Sequence, residues 1–225
     1  QIATAGRIAL KCRSSNMLWP CGVLISCYTF SVNSGHKIFI LVGHSNLAGF
    51  TGELAAAYES AARAAGHEVK RLNIGELKFD PILHKGYSEI QPLEPDLQKV
   101  QEYVRWADHF VVLYPNWWIS MPAILKGLFD RIWLPGFAFH FDKETHSVIE
   151  LLEGKTARVI IVDGSHSPFM TRLKYGDYTN EIARGILGFA GMKVHVTTMG
   201  PCEHADTAKH DEWVAEVREF ATKGI

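Results

Sequence analysis

Five short apolar runs, separated by stretches of helical period, set the plan of this chain. The first, Ile38-Phe39-Ile40-Leu41-Val42, is uninterrupted, as expected of a central parallel strand buried on both faces. Further strands are predicted over 68–72, 108–114, 157–163 and 193–198. Between them, apolar residues recur at helical spacing. Leu54, Ala57, Tyr58, Ala61, Ala62 and Ala65 form one stripe, closed by Gly66 and with Thr51 expected as N-cap. Leu97, Val100 and Val104 mark a helix over 96–107, and Ile124, Leu125, Leu128, Phe129, Ile132 and Trp133 mark another, begun at Pro122 and stopped by Pro135-Gly136. Lys126, Asp130 and Arg131 fall between those apolar positions. Ile182, Ile186, Leu187 and Ala190 predict a helix over 177–190, and Trp213, Val214, Val217 and Phe220 a closing helix over 206–221. Residues 142–154 read as a loop with short helical or irregular structure.

Strand and helix alternate throughout. That order implies a parallel sheet with helices on both faces: a three-layer α/β sandwich, for which the flavodoxin-like strand order 2-1-3-4-5 is expected. Ligands of such sheets bind beyond the carboxyl ends of the strands, where the order reverses. Three loops should converge there, at 43–52, 114–121 and 163–169.

Each loop has its own chemistry. Residues 43–52 form a small, polar, glycine-bearing turn before a helix N-terminus, a place for a phosphate held by main-chain N–H groups or for ordinary local capping by Ser45 and Thr51. It is neither a Walker loop nor GxGxxG. The second loop, Pro115-Asn116-Trp117-Trp118-Ile119, carries adjacent tryptophans, which serve either as packing for a core or dimer interface or as walls for a flat conjugated ring. The third, Val162-Asp163-Gly164-Ser165-His166, offers glycine and hydroxyls but lacks the G-x-S-x-G spacing of a serine hydrolase. Together they fit a flavin, with the ring against Trp117 and Trp118 and main-chain groups near Pro115, Asn116 and Gly164 on its polar edge.

The wording PNWW…PAILKG…DR…PGFAF over 115–139, with FDPILHKGY at 79–87, resembles the flavodoxin-like NAD(P)H dehydrogenase (quinone) family, and the resemblance extends from Lys37 to Ala221. It implies His44, Phe50 and Thr51 at the phosphate loop, Pro115, Asn116, Trp118 and Ile119 at the flavin ring, and Val162, Asp163 and Gly164 at the third flavin loop. It implies a homodimer in which Phe139 and Phe141 reach the substrate pocket of a second copy, beside Trp118 and Phe169. Reduced nicotinamide, NAD(P)H, would serve as donor and a quinone as acceptor in a ping-pong cycle. Where mammalian members place a Tyr and a His at the flavin edge, this chain has Phe169 and Tyr175, so Tyr175 and His166 become the candidate hydrogen-bonding groups. The short segment after the last helix leans towards FMN, with FAD as the alternative. Some relatives of that family act instead as flavin-binding ancillary subunits of a potassium efflux transporter.

Composition adds limits. With 225 residues, 47% hydrophobic and 21% charged, the chain suits one α/β domain. A formal charge of −1 supplies no field for nucleic acid. Residues 1–36 hold Arg7, Lys11 and Arg13, five serines, no acid, and three of the four cysteines, and read as a non-structural extension or leader, a peripheral segment being the alternative. Their apolar run at 17–30 is too short and interrupted for stable membrane insertion. A body with Cys202 alone is expected to be reduced and cytoplasmic, and no metal-binding spacing appears in it.

Overall fold

The computed structural model describes residues 11–15, 27–31 and 35–225. Strands β1 (Lys11–Ser15) and β2 (Cys27–Ser31) pair antiparallel as a small sheet of their own. The expectation of an extension or leader over 1–36 otherwise lies outside the described residues.

The main sheet has five strands: β3 (Lys37–Val42), β4 (Glu68–Asn73), β5 (His109–Pro115), β8 (Thr156–Val162) and β9 (Lys193–Met199). Between β5 and β8 lies a separate antiparallel hairpin, β6 (Phe139–Phe141) with β7 (Val148–Glu150). All pairings of the main sheet are parallel and the order is β4-β3-β5-β8-β9. In chain order this is 2-1-3-4-5, the flavodoxin-like arrangement expected from the alternation of elements.

Alternate residues of the central strands feed two cores. Phe39, Leu41, Phe110, Val112, Val159 and Ile161 face helices α2 (Pro95–Trp106) and α3 (Ala123–Ile132). Ile38, Ile40, Val42, Val111, Leu113 and Ile160 face helices α1 (Phe50–Ala64) and α5 (Thr207–Lys223). Double-sided burial is why these strands read as unbroken apolar runs rather than alternating ones.

The structure departs from the sequence expectation in four places. Thr51 is not the N-cap of α1; Gly49 is, without a side-chain cap, and Thr51 lies buried in the first turn. A Cβ on Gly52 would stand 2.0 Å from the Leu47 carbonyl oxygen, so the loop folds back tightly and the helix begins earlier. The helix predicted over 177–190 is present as a π-helical segment at Glu181–Leu187 running into a 3-10 turn at Gly188–Ala190, with Ile182, Leu187 and Ala190 buried. An unforeseen helix precedes it: α4 (Pro168–Tyr175), capped by Ser167 through Met170 N–H (3.3 Å) and ended by Gly176 at φ +85°. Ser-Pro supplies both a cap and a prearranged first turn. Residues 142–154, expected as a loop, contain β7. Finally, Arg131, a charge between the apolar positions of α3, is fully buried.

Arg131 organises the long connection between β4 and α2. Its guanidinium grips Glu94 with two hydrogen bonds (2.8 and 3.2 Å) and bonds the carbonyls of Pro92 (2.9 Å) and Asp80. Gly127 of α3 admits that segment closely, since a Cβ there would lie 2.6 Å from the Pro81 carbonyl oxygen.

Candidate active site

The three loops meet. Strand pairing brings the end of β5 beside the end of β8, and Asn116 N–H donates to the Val162 carbonyl at 2.8 Å. The Asn116 amide NH2 donates to Asp163 Oδ1 at 2.6 Å, joining the second loop to the third. His44 of the first loop lies edge-on to Trp117 of the second, with ring centroids 5.3 Å apart.

The second loop is a tight two-residue turn. Trp117 and Ser120 exchange both main-chain hydrogen bonds (2.9 and 3.1 Å), leaving Trp118 and Ile119 at the tip with φ +55° and +66°. Left-handed backbone costs a bulky or β-branched residue about 1–2 kcal/mol. Two in succession are tolerated only where surroundings over-determine them, and such strain gathers at ligand sites. The turn holds Trp118 at 98% exposure and Trp117 at 45%. Core packing is therefore excluded for this pair, and a nearly bare indole is poised to cover a partner.

Beneath the turn lies a cavity of about 360 Å³, lined by Asn116, Trp118, Asp163, Gly164, His166 and Tyr175, with Ile119, Ser165 and Thr171 completing the wall. Pro115 and Val162, paired at the strand ends and both buried, are not among its lining residues. Tyr175 is half exposed at the end of α4. His166 is exposed, its Nδ1 3.0 Å from Ser165 Oγ. Phe169 stands 71% exposed on α4 and does not line this cavity.

Asp163, buried to 3% exposure, anchors the floor. Besides Asn116 it accepts the Tyr178 hydroxyl at 2.5 Å. Burial pushes its carboxyl above the usual carboxylate range, against the opposing pull of the two hydrogen bonds and, more weakly, Arg172. Burial and Asp163 together push the Tyr178 phenol up. The Asn116 Oδ1 is buried with no partner. Tyr178 is not among the residues that the sequence singles out; a tyrosine following Gly176-Asp177 carries no local sign that its hydroxyl meets the end of β8.

In the first loop, His44 Nδ1 accepts Asn46 N–H at 2.7 Å, so its remaining proton sits on Nε2, and burial holds the ring's pKa below the ordinary value. Asn46 Oδ1 in turn accepts Ala48 N–H at 2.9 Å. Ser45 is exposed beside Gly75. Phe50 turns away to stack on His210 of α5 (4.6 Å), fixing the start of α1. In the first turn of α1, Gly52 and Glu53 N–H donate to the Gly49 carbonyl (2.9 and 3.2 Å), and the amides of Phe50 and Thr51 precede those bonds.

A second cavity, of about 640 Å³, is lined by Phe139, Phe141, Trp133, Phe189, Lys126 and Tyr87 among others. Phe139 and Phe141 therefore do not share a cavity with Trp118 within one chain. Among the described residues no cluster of three or more His, Cys, Asp or Glu side chains is placed to hold a metal ion, and no helix is long and apolar enough to cross a membrane.

The model of the flavodoxin-like fold family matches residues 36–222. The chain belongs to that family. Relatives carry the names the sequence resemblance implied. The chain is 31% identical over 133 residues to an uncharacterized NAD(P)H oxidoreductase of Haemophilus influenzae, covering 56% of this chain and 64% of that one. It is 27% identical over 182 residues to NAD(P)H dehydrogenase [quinone] 1 of Cavia porcellus, covering 70% and 66%. It thus spans just under two thirds of the length of each. Among solved structures, the NAD(P)H:quinone oxidoreductase of Methanothermobacter marburgensis superposes with TM-score 0.70 at 21% identity, covering 84% of this chain and 98% of that one. An FMN-dependent NADH-azoreductase of Bacillus anthracis, in complex with FMN, gives 0.60 at 18% identity, covering 83% and 98%. Both likenesses speak for this flavodoxin-like fold alone.

Proposed function

We propose that this flavodoxin-like chain is a flavin-dependent NAD(P)H oxidoreductase that passes electrons to a quinone or similar acceptor. The observation that carries this reading is a cavity between the loops after β5 and β8, bordered by the bare indole of Trp118, with the first loop joined to it through the contact of His44 with Trp117. The names of its curated relatives support the same chemistry.

The residues present fit a flavin, FMN or FAD. The strained turn offers an aromatic face, and Gly164 lines the cavity with main chain while the space a side chain would take is filled by Glu203. Asn116 supplies a buried polar edge with an unpartnered oxygen. His44, Ser45 and the amides of Phe50 and Thr51 at the start of α1 would form the phosphate end, where the helix dipole favours an anion. A bound flavin would supply two-electron chemistry between a reduced nicotinamide and an acceptor, in a ping-pong cycle. Trp118, which lines the cavity, would hold such a ring and keep water from it, with Trp117 beside it in the same turn. Tyr175 and His166 stand at the open rim, where a hydroxyl or imidazole can hold a proton beside the ring's polar edge. In a homodimer, a second copy would bring Phe139 and Phe141 to this rim as the acceptor's far wall. The cytoplasm, where a single cysteine past residue 36 stays reduced, is the compartment this reading expects.

Oxidation of NADH and NADPH by the flavin-loaded protein, with and without a quinone, tests it. Acceptor-dependent turnover is expected. A protein that takes up flavin and never turns over would overturn the enzymatic reading in favour of a transporter-bound regulatory subunit.

A further inference from the structure

A carboxylate buried to 3% exposure and met by two neutral donors is a costly arrangement. Asp163 follows β8, the fourth strand of the sheet; Asn116 follows β5, the third; Tyr178 follows α4, the helix that forms the far wall of the cavity. One oxygen of Asp163 holds the aromatic loop, and the other holds the exit of α4, so the clamp spans the slot. A second side-chain bond, from Ser120 Oγ to Glu181 Oε2 (2.8 Å), joins the aromatic loop to the turn beyond Tyr178 but does not reach the sheet. Main-chain bonds anchor the clamp, since Asp163 N–H donates to Met199 and its carbonyl accepts Cys202 N–H (2.7 and 2.9 Å). The carboxylate is thus fixed to the sheet while both its partners belong to loops.

The clamp also sets the polarity of Asn116. Because the amide NH2 is turned into Asp163, the amide oxygen is the end left without a partner. We propose that Asp163 is a positioning residue, whose bridge from Asn116 to Tyr178 fixes the separation of the aromatic loop and α4 and thereby the width of the ring-binding slot. The proposal rests on the flavin reading for its ligand, but the bridge itself is present without one. The Asp163→Asn variant can keep both contacts, its new amide accepting from Asn116 and donating to a Tyr178 hydroxyl turned to accept; the Asp163→Ala variant keeps neither.

The test combines hydrogen exchange of the flavin-free protein with FMN titration by fluorescence quenching, on wild type, Asp163→Ala, Asp163→Asn and Tyr178→Phe. Exchange across 115–120 and 168–178 is expected to rise in Asp163→Ala while β3 and β5 remain protected, to return towards wild type in Asp163→Asn, and to rise partly in Tyr178→Phe. FMN dissociation should follow the same order, weakening about tenfold or more in Asp163→Ala. Unchanged exchange in Asp163→Ala, or Asp163→Asn behaving like Asp163→Ala, would overturn the clamp. Failure of the flavin reading shows separately, as a wild type that binds neither FMN nor FAD, and the exchange pattern then still decides the clamp.

Discussion

The imidazole of His44 meets the indole of Trp117 edge to face at 5.3 Å, and through that contact the phosphate end of the site is tied to the aromatic end. Aromatic pairs of this geometry contribute about 0.5–1.5 kcal/mol beyond area burial. His44→Ala and Trp117→Ala are therefore expected to be non-additive in FMN affinity, with a coupling of about 0.5–1 kcal/mol in a double-mutant cycle. Additive losses would show that the two loops bind independently.

Trp118 tests the opposite property. Its side chain buries almost nothing in the free protein, so Trp118→Ala should leave the unfolding free energy unchanged within about 0.5 kcal/mol. Flavin affinity should fall by about 1–3 kcal/mol, the range for stacking a planar ring on an aromatic side chain. Thermal denaturation and FMN titration on the same sample separate the two effects.

Arg131 should matter for stability and little for ring contact. Arg131→Met strands the Glu94 carboxylate and the carbonyls of Asp80 and Pro92, at an expected cost of about 3–5 kcal/mol. Lys126→Ala, which removes the exposed pair with Asp130, should cost about 0.5 kcal/mol or less. Denaturant midpoints of the two variants give the comparison.

His109 predicts a pH dependence of folding. The ring is buried at the start of β5, its Nδ1 2.7 Å from Thr156 Oγ1 and its Nε2 without a partner. Burial, then the nearby Arg158, pushes its pKa down to about 3. The unfolded chain binds this proton near pH 6.5, the folded one only near 3. The stabilisation is therefore complete above about pH 6.5, is lost progressively as pH falls towards 3, and amounts to roughly 4–5 kcal/mol. A neutral replacement, His109→Gln, should flatten that part of the stability profile, measured by chemical denaturation between about pH 7 and 4.

Much of this fold is legible because the central strands are apolar on both faces: residues 38–42 and 159–162 leave little room for any other element. The convergence of the three loops follows from strand order alone. After β8, the helical beat of Ile182, Ile186 and Leu187 does mark helical backbone, wound as a π turn that periodicity does not distinguish, whereas α4 is missed because its Ser167-Pro168 start reads as loop. The β6–β7 hairpin is invisible to periodicity because its second strand, Val148-Ile149-Glu150, is short and exposed and shows no alternation. Arg131 sits among charges on an amphipathic stripe, and only the folded connection from β4 shows what buries it. Tyr178 and Asp163 are joined across fifteen residues by a contact that no local pattern encodes.

The account stands most directly on the visible absorption spectrum of the protein loaded with FMN and then reduced anaerobically with NADH or NADPH. Stoichiometric uptake is predicted, with a perturbed flavin band that bleaches on adding the nicotinamide and returns on adding a quinone. A protein that retains no flavin after desalting, or whose flavin band stays unbleached by either nicotinamide, would contradict it.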